Sequence, residues 1–311
     1  MSDLLYNTRC KYIPVRLTCG PNGTGHSRTP SWRSQLKKRC FFLALLTHAA
    51  RQSCKAIHPP RLLAVLIFAF WGLCFNSVAF AETNSGNSSL VQEPIPKIAI
   101  DVGHSKESMG AISAHGIAEY EFNLSLARRI KKILSPKNEN DAFLIYSEPD
   151  IPLWLRTNIA EKKNATFFIS IHHDSAVAEY LQKWKIHGKT YYHSHKYSGF
   201  GIFVSRKNPD LERSLKCASA IGAEMQGQGF HYSDHHSAHI AGENREWADK
   251  EHGVYYYDDL VVLKTAKTPA LLLEAGVIVN PIEEKELQNS KTKDKIAEAV
   301  KAGLTKCGVY R

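Results

Sequence analysis

Short apolar runs alternate with helical patterns throughout residues 97–306. The runs are aliphatic or aromatic and are bounded by polar residues, which is typical of strands buried on both faces. Strands that alternate with helices pack as a sheet covered by helices. The sequence therefore predicts one α/β domain with a mostly parallel twisted central sheet flanked by helices. The predicted strands are 97–102, 142–146, 166–171, 200–204 and 270–279, and the predicted helices are 119–135, 152–163, 209–226 and 282–306.

The positive charge of the chain is confined to its first part. Residues 1–61 contain 11 basic residues and one acidic residue, a net charge of +10, which equals the net charge of the whole chain. The remaining residues are therefore neutral in sum. Nucleic-acid binding needs clustered basic charge on the folded domain, so we expect no nucleic-acid partner.

An uncharged apolar segment, residues 62–81, follows Arg61 and ends in Ala79-Phe80-Ala81. This pattern is typical of a secretory signal peptide, here residues 61–81, with cleavage after Ala81. A membrane anchor is the alternative, because about 20 apolar residues can span a bilayer. The short apolar part and the small residues at its end favour the signal, with membrane contact only during export.

The segments on either side of this signal complete the predicted organisation. Residues 1–60 are too long for the basic start of a signal peptide, and no Met lies between Met1 and Met109. We hypothesise that they are an untranslated extension and that translation starts near residue 60 at a non-standard codon. Residues 82–96 are small and polar and predict a linker. Residues 97–311 form the predicted catalytic domain, which is long enough for one core.

Only two of the seven cysteines, Cys217 and Cys307, follow the predicted signal. Two cysteines in an exported chain can form a disulfide, since such bonds persist in oxidising compartments. Two buried thiols are the alternative, and the sequence does not decide between them.

The candidate catalytic residues follow or interrupt predicted strands. His104 and His172 lie at or just beyond the carboxyl ends of two strands, where the active sites of such sheets are found. Glu274 lies inside the apolar segment LLLEAGVIV, and a buried charge is costly unless it is paired or functional. Catalytic zinc binds three His or carboxylate ligands and keeps a position for water, while a further carboxylate can act as the general base.

Four segments, IAIDVGHS, GIAEYEFNL, ISIHHD and LLLEAGVIVNP, resemble in order and wording the zinc-dependent N-acetylmuramoyl-L-alanine amidases of the amidase-3 type. The resemblance covers roughly residues 95–308. It implies one Zn²⁺ per chain, with His104, Glu119 and His172 as ligands and Glu274 as the catalytic carboxylate.

Three further residues are candidates for supporting or substrate-binding roles. Asn123 lies in the same motif as Glu119, and Asp101 could accept a hydrogen bond from a ligating imidazole. Arg245 stands where many members of the family have an Arg that could bind a substrate carboxylate or Glu274, although an ordinary solvated Arg is equally compatible with the sequence. The His-rich residues 231–252 predict a surface insertion near the cleft, and a second metal site there has only compositional support.

The resemblance implies that the substrate is peptidoglycan, cut between N-acetylmuramic acid and L-alanine, and the predicted signal implies a periplasmic or otherwise exported enzyme. Two alternatives remain: a zinc hydrolase acting on free peptides or muropeptides, and a non-catalytic wall-binding module. Export favours the polymer, and retention of all four residues favours catalysis. Whether a protein activator is needed stays open.

Overall fold

The computed structural model describes residues 96–137 and 141–311. The proposed extension and signal peptide lie outside these residues, as does nearly all of the linker. Within the described part, no helix combines the length and apolar character needed to cross a membrane. The elements, in chain order, are β1 (Ile98–Val102), α1 (Glu119–Leu134), β2 (Ala142–Ile145), α2 (Leu153–Lys162), β3 (Phe167–Asp174), β4 (Gln182–Ile186), β5 (Lys189–His193), β6 (Gly201–Val204), α3 (Leu211–Gly227), β7 (Trp247–Asp249), β8 (Val254–Tyr256), α4 (Val261–Thr265), β9 (Ala270–Val277), α5 (Pro281–Gln288) and α6 (Ser290–Lys306).

A seven-stranded sheet in the order β2-β1-β3-β9-β6-β8-β7 forms the centre of the domain. Strands β2, β1, β3 and β9 run parallel to one another. Strand β6 is antiparallel to β9 but parallel to β8, and β7 is antiparallel to β8. The predicted mostly parallel α/β sheet is confirmed. Strands β1, β6 and β9 are buried along their whole length, which explains their continuous apolar sequences.

Helices cover both faces of the sheet. The larger apolar core includes residues of α1, α3 and α6, and the smaller one includes residues of α4 with Ala160 of α2. A disulfide joins Cys217 of α3 to Cys307 just after α6, which decides between the two alternatives left by the sequence. The two helices lie very close together, because a Cβ on Gly303 would fall within 3.0 Å of the Ile221 backbone.

An antiparallel hairpin, β4–β5, was not predicted from the sequence. Its turn consists of His187 and Gly188, which both have positive φ, 48° and 78°. Such two-residue turns match the twist of a hairpin. The hairpin forms a separate two-stranded sheet, attached through a hydrogen bond of 2.8 Å from Trp184 Nε1 to the Ala114 carbonyl oxygen.

The prediction that residues 231–252 form a surface insertion is wrong for part of the segment, although most of its residues are half-buried or exposed. His235 and His236 are 2% and 5% exposed, and Trp247–Asp249 forms the edge strand of the main sheet. The sequence misled because His counts as polar in any hydrophobic pattern, although aromatic packing can bury it.

Candidate functional site

His104 lies just beyond the carboxyl end of β1, in a backbone conformation with φ of 66°. Arg156 of α2 fixes this turn by donating to the carbonyl oxygens of Val102 and His104, at 2.7 and 3.0 Å. The same guanidinium donates to Asp101 at 3.1 Å, and Ser170 donates to the other Asp101 oxygen at 2.7 Å. Asp101 therefore supports His104 through Arg156. No sequence pattern had pointed to Arg156.

Glu119, the first residue of α1, lies between the two candidate histidines. Its Oε2 is 3.0 Å from His104 Nε2, and its Oε1 is 3.0 Å from His172 Nδ1. His104, Glu119 and His172 offer three ligand atoms that lie within 4.8 Å of one another. The structure thus brings together the three residues that the sequence predicted to bind a metal.

The charges of this trio depend on one another. Burial disfavours the ionised form of Glu119, but its contacts with His104 and His172 hold its pKa well below the usual value. Burial also lowers the pKa of His172 below its usual value. Burial opposes protonation of His104, yet the neighbouring Glu119 raises its pKa. An ionised carboxylate beside a neutral imidazole is the protonation state that metal binding requires.

Two glycines leave the space between these side chains free. A Cβ on Gly103 would lie less than 3.0 Å from the His172 ring, and one on Gly110 would clash with both Glu119 Oε2 and the His104 ring. Gly110 also has a φ of +76°, which other residues rarely adopt. Two imidazoles and one carboxylate are a zinc donor set, and the residues present therefore fit a zinc ion.

Glu274 lies next to His172 in the sheet. The two residues are direct partners in the parallel pairing of β3 and β9, so their side chains point to the same face. Glu274 is 2% exposed and His172 is 7% exposed. A carboxylate beside the three candidate ligands, on a rigid central strand, can accept a proton during catalysis.

Asn123 connects the trio to its surroundings. Its side-chain nitrogen donates to Glu119 Oε1 and to the Gly103 carbonyl oxygen, both at 3.1 Å. Its side-chain oxygen lies 2.7 Å from His173 Nδ1. Burial lowers the pKa of His173 to about 3, so this imidazole is neutral and its Nδ1–H donates to Asn123. The contact fixes the orientation of the Asn123 amide and hence of Glu119.

The Arg245 guanidinium stacks on the ring of Tyr257, with its carbon 3.7 Å from the ring centre. Its guanidinium donates to the Gly242 carbonyl oxygen at 3.1 Å. These contacts keep the side chain against its own segment.

A second group of metal-binding residue types contains two histidines of the segment in which the sequence raised a second metal site, together with Asp174, which sequence reasoning did not connect with them. Asp174, His235 and His236 also offer three ligand atoms within 4.8 Å of one another. Burial opposes charge here, yet Asp174 and Glu243 raise the pKa of His236 to about 10. The only signal in the sequence was the His-His pair at 235 and 236, whose partner lies about 60 residues earlier.

Comparison with known proteins gives a consistent result. A family model described as N-acetylmuramoyl-L-alanine amidase, Amidase_3, matches residues 98–306. The Escherichia coli (strain K12) protein named N-acetylmuramoyl-L-alanine amidase AmiA is 26% identical over 233 residues, covering 67% of this chain and 74% of that protein.

Solved structures share the fold. The N-acetylmuramoyl-L-alanine amidase from Clostridium difficile 630 superposes with a TM-score of 0.51 at 20% identity, covering 68% of this chain and 95% of that one. The enzyme Ami1 from Mycobacterium smegmatis gives a TM-score of 0.50 at 15% identity, covering 68% of this chain and 95% of that one.

Proposed function

We propose that this chain, which belongs to the N-acetylmuramoyl-L-alanine amidase family of the Amidase_3 type, uses zinc to hydrolyse its peptidoglycan substrate. The bond cut is the amide between N-acetylmuramic acid and the L-alanine of the stem peptide. The observation that carries the zinc dependence is the convergence of His104, Glu119 and His172 around a space that Gly103 and Gly110 leave free.

The proposed ligands are His104, Glu119 and His172. Zinc held there supplies Lewis acidity, which activates water and polarises a carbonyl. Asn123 orients Glu119, and Arg156 holds the turn that carries His104. Both contacts hold a proposed ligand residue in place from outside the metal site, as is common in metal sites.

Glu274 is the proposed general base and acid. Its carboxylate takes a proton from the attacking water as the new C–O bond forms at the lactyl carbonyl. The carboxyl group then gives this proton to the alanine nitrogen as the C–N bond breaks. The products are a free stem peptide with an N-terminal L-alanine and a muramic acid carboxylate.

The site of action is proposed to be outside the cytoplasm, where residues 61–81 would direct the chain and residues 82–96 would link the cleavage site to the domain. The disulfide between Cys217 and Cys307 supports this proposal, since such bonds persist in oxidising compartments. Sequencing of the mature N-terminus tests it. A chain that starts at Glu82 is the expected result, and a retained apolar segment would contradict it.

Mass spectrometry of digested peptidoglycan tests the reaction. We expect the purified protein to release free stem peptides that begin with L-alanine, with release abolished by a zinc chelator and restored by Zn²⁺. The Glu274→Gln variant serves as the control for contaminating activity. Cleavage that survives complete metal removal would refute the zinc dependence. Cleavage of soluble muropeptides but never of the polymer would instead support the free-peptide alternative.

A further inference from the structure

Asp174 is the last residue of β3, and its side chain meets two histidines from a 3-10 turn formed by His235–Ser237. The Nε2 atoms of His235 and His236 lie 2.9 and 3.2 Å from the same oxygen, Asp174 Oδ2. The other oxygen, Oδ1, accepts from the Ser175 N–H at 2.7 Å. From this geometry we propose that Asp174, His235 and His236 bind a second divalent transition-metal ion, with zinc as the first candidate.

The convergence of the three atoms is not explained by hydrogen bonding. Asp174 Oδ2, His235 Nε2 and His236 Nε2 are all buried, and none has a hydrogen-bond partner of acceptable direction among the described residues. The three atoms lie at ion-pair distance, but neither contact meets the geometry of a hydrogen bond. Buried polar atoms are otherwise almost always satisfied. A cation placed between the three atoms would satisfy all of them.

The outer nitrogen of each imidazole is already held. His235 Nδ1 lies 2.6 Å from Ser233 Oγ, and His236 Nδ1 lies 3.0 Å from Glu243 Oε2. An ionised carboxylate only accepts hydrogen bonds, so His236 carries its proton on Nδ1. In the neutral imidazole, Nε2 then keeps the lone pair that a metal needs. Ligating histidines characteristically donate their other N–H to such partners.

Packing fixes the rings in this orientation. Tyr197 stacks on His235 with ring centres 4.5 Å apart, and Phe203 meets the His236 ring edge-on at 4.8 Å. A Cβ on Gly201 would lie 3.2 Å from His236 Nε2. The site is therefore preformed, and its two-His, one-carboxylate donor set suits zinc and also other transition metals of the first row.

The position of the site indicates what the ion would do. Asp174 lies two residues after His172 on β3, so the ion would attach residues 233–243 to the strand that carries a proposed catalytic ligand. The competing explanation is a protonated His236 placed between two carboxylates, Asp174 and Glu243, which needs no metal. The two explanations predict different amounts of bound zinc.

Zinc titration of the chelator-stripped, full-length protein distinguishes them. Native mass spectrometry should find two equivalents of Zn²⁺ in the unmodified protein and one in the His235→Gln/His236→Gln variant. His252→Gln is the matched control, because His252 lies in the same segment but contacts a single carboxylate, Asp249. It should keep two equivalents. A single equivalent in the unmodified protein, unchanged in the double variant, would overturn the proposal.

Anomalous diffraction at the zinc edge gives a test that needs no variant. Crystals of the unmodified protein grown with Zn²⁺ should show a peak between Asp174, His235 and His236, as well as one at Glu119. Absence of the first peak refutes the second site, and absence of the peak at Glu119 refutes the proposed catalytic zinc. The two proposals can therefore fail separately.

Discussion

His172 and Glu274 face each other across adjacent parallel strands at the centre of the sheet. The backbone hydrogen bonds of β3 and β9 fix the separation of these two residues, and on its other side Glu274 pairs with Gly201 of β6. A proposed metal ligand and a proposed proton acceptor are thus held by the most rigid part of the fold. Residues placed on central strands are held in a more precise geometry than residues on loops.

Glu274→Gln should retain zinc but lose about 10²- to 10⁴-fold in kcat, the usual scale for loss of a general base. Glutamine has nearly the same shape but cannot take up the proton. Glu286→Gln, on the exposed side of α5, is the control and should keep normal turnover. Zinc content and release of stem peptides measure the two effects, and a near-normal rate in Glu274→Gln would remove Glu274 from the mechanism.

His104→Ala and His172→Ala should each bind one equivalent of zinc fewer than the unmodified protein, since each removes one of three ligands. Activity should be lost with the metal. His195→Ala is the matched control, because His195 is exposed and belongs to neither metal-binding group. Elemental analysis of the purified variants gives the count. Full zinc content in both ligand variants would contradict the assignment.

Gly110→Ala should weaken zinc binding by about 10- to 100-fold, the range seen when the surroundings of metal ligands are disturbed. Its new methyl group would meet Glu119 and His104. Gly188→Ala is closely matched, because Gly188 has a similar φ of +78° but nothing within 4 Å. Both variants carry the same backbone strain, of order 1–2 kcal/mol. Equal zinc affinity in the two would show that the space at Gly110 is irrelevant to metal binding.

Loss of the disulfide should lower the free energy of unfolding by roughly 2–5 kcal/mol. The bond spans a sequence separation of 90 residues, so it restricts the unfolded chain strongly. Urea unfolding of the unmodified protein with and without reductant measures the effect. The Cys217→Ala/Cys307→Ala variant should unfold at a lower urea concentration and be insensitive to reductant. Identical midpoints in all four samples would show that the bond contributes nothing.

Glu283 should make the protein less stable as the pH rises from about 4.5 to about 7. Burial, together with the negative charges of Asp174 and Glu286, raises its pKa to about 7, although the N–H groups of Gly199 and Val277 favour the ionised form. The folded state therefore binds the proton more tightly than the unfolded state. The stabilisation is complete below the unfolded pKa and is lost as the pH rises through the folded pKa.

The size of this effect is about 3 kcal/mol, from roughly 1.4 kcal/mol per pKa unit. Urea unfolding at a series of pH values, compared between the unmodified protein and Glu283→Gln, isolates it from other titrating groups. The difference in unfolding free energy should change across this pH range and be constant above it. Parallel profiles would show that Glu283 has an ordinary pKa.

The elements that sequence analysis predicted well are those with a strong hydrophobic pattern. Strand β9 and helix α1 begin within one residue of the predicted positions. A continuous apolar run, as in β9, and apolar residues spaced three apart, as in α1, are compatible with few other structures. The candidate ligands were identified for a different reason, since their motifs contain His and Glu residues that an apolar core does not need.

What the sequence concealed depends on tertiary contacts. The β4–β5 hairpin has mostly polar exposed residues and a few half-buried ones, and its His-Gly turn is a weak signal compared with Asn-Gly. Arg156 sits in an ordinary helical segment and gains its role only from the nearby His104 turn. Asp174 and His235 are brought together by the fold alone.

Helix α6 packs against α3 and contacts α1. Cys307, just beyond the end of α6, forms the disulfide with Cys217 of α3. Helix α6 follows α1 and α3 in the chain, so the faces of α1 and α3 that it covers stay uncovered until α6 has been synthesised. Packing between helices that are far apart in the sequence slows folding, because the distant segments must meet before they form contacts. The core around α1 and α3 is therefore completed only when α6 docks and the bond between Cys217 and Cys307 closes across the two helices.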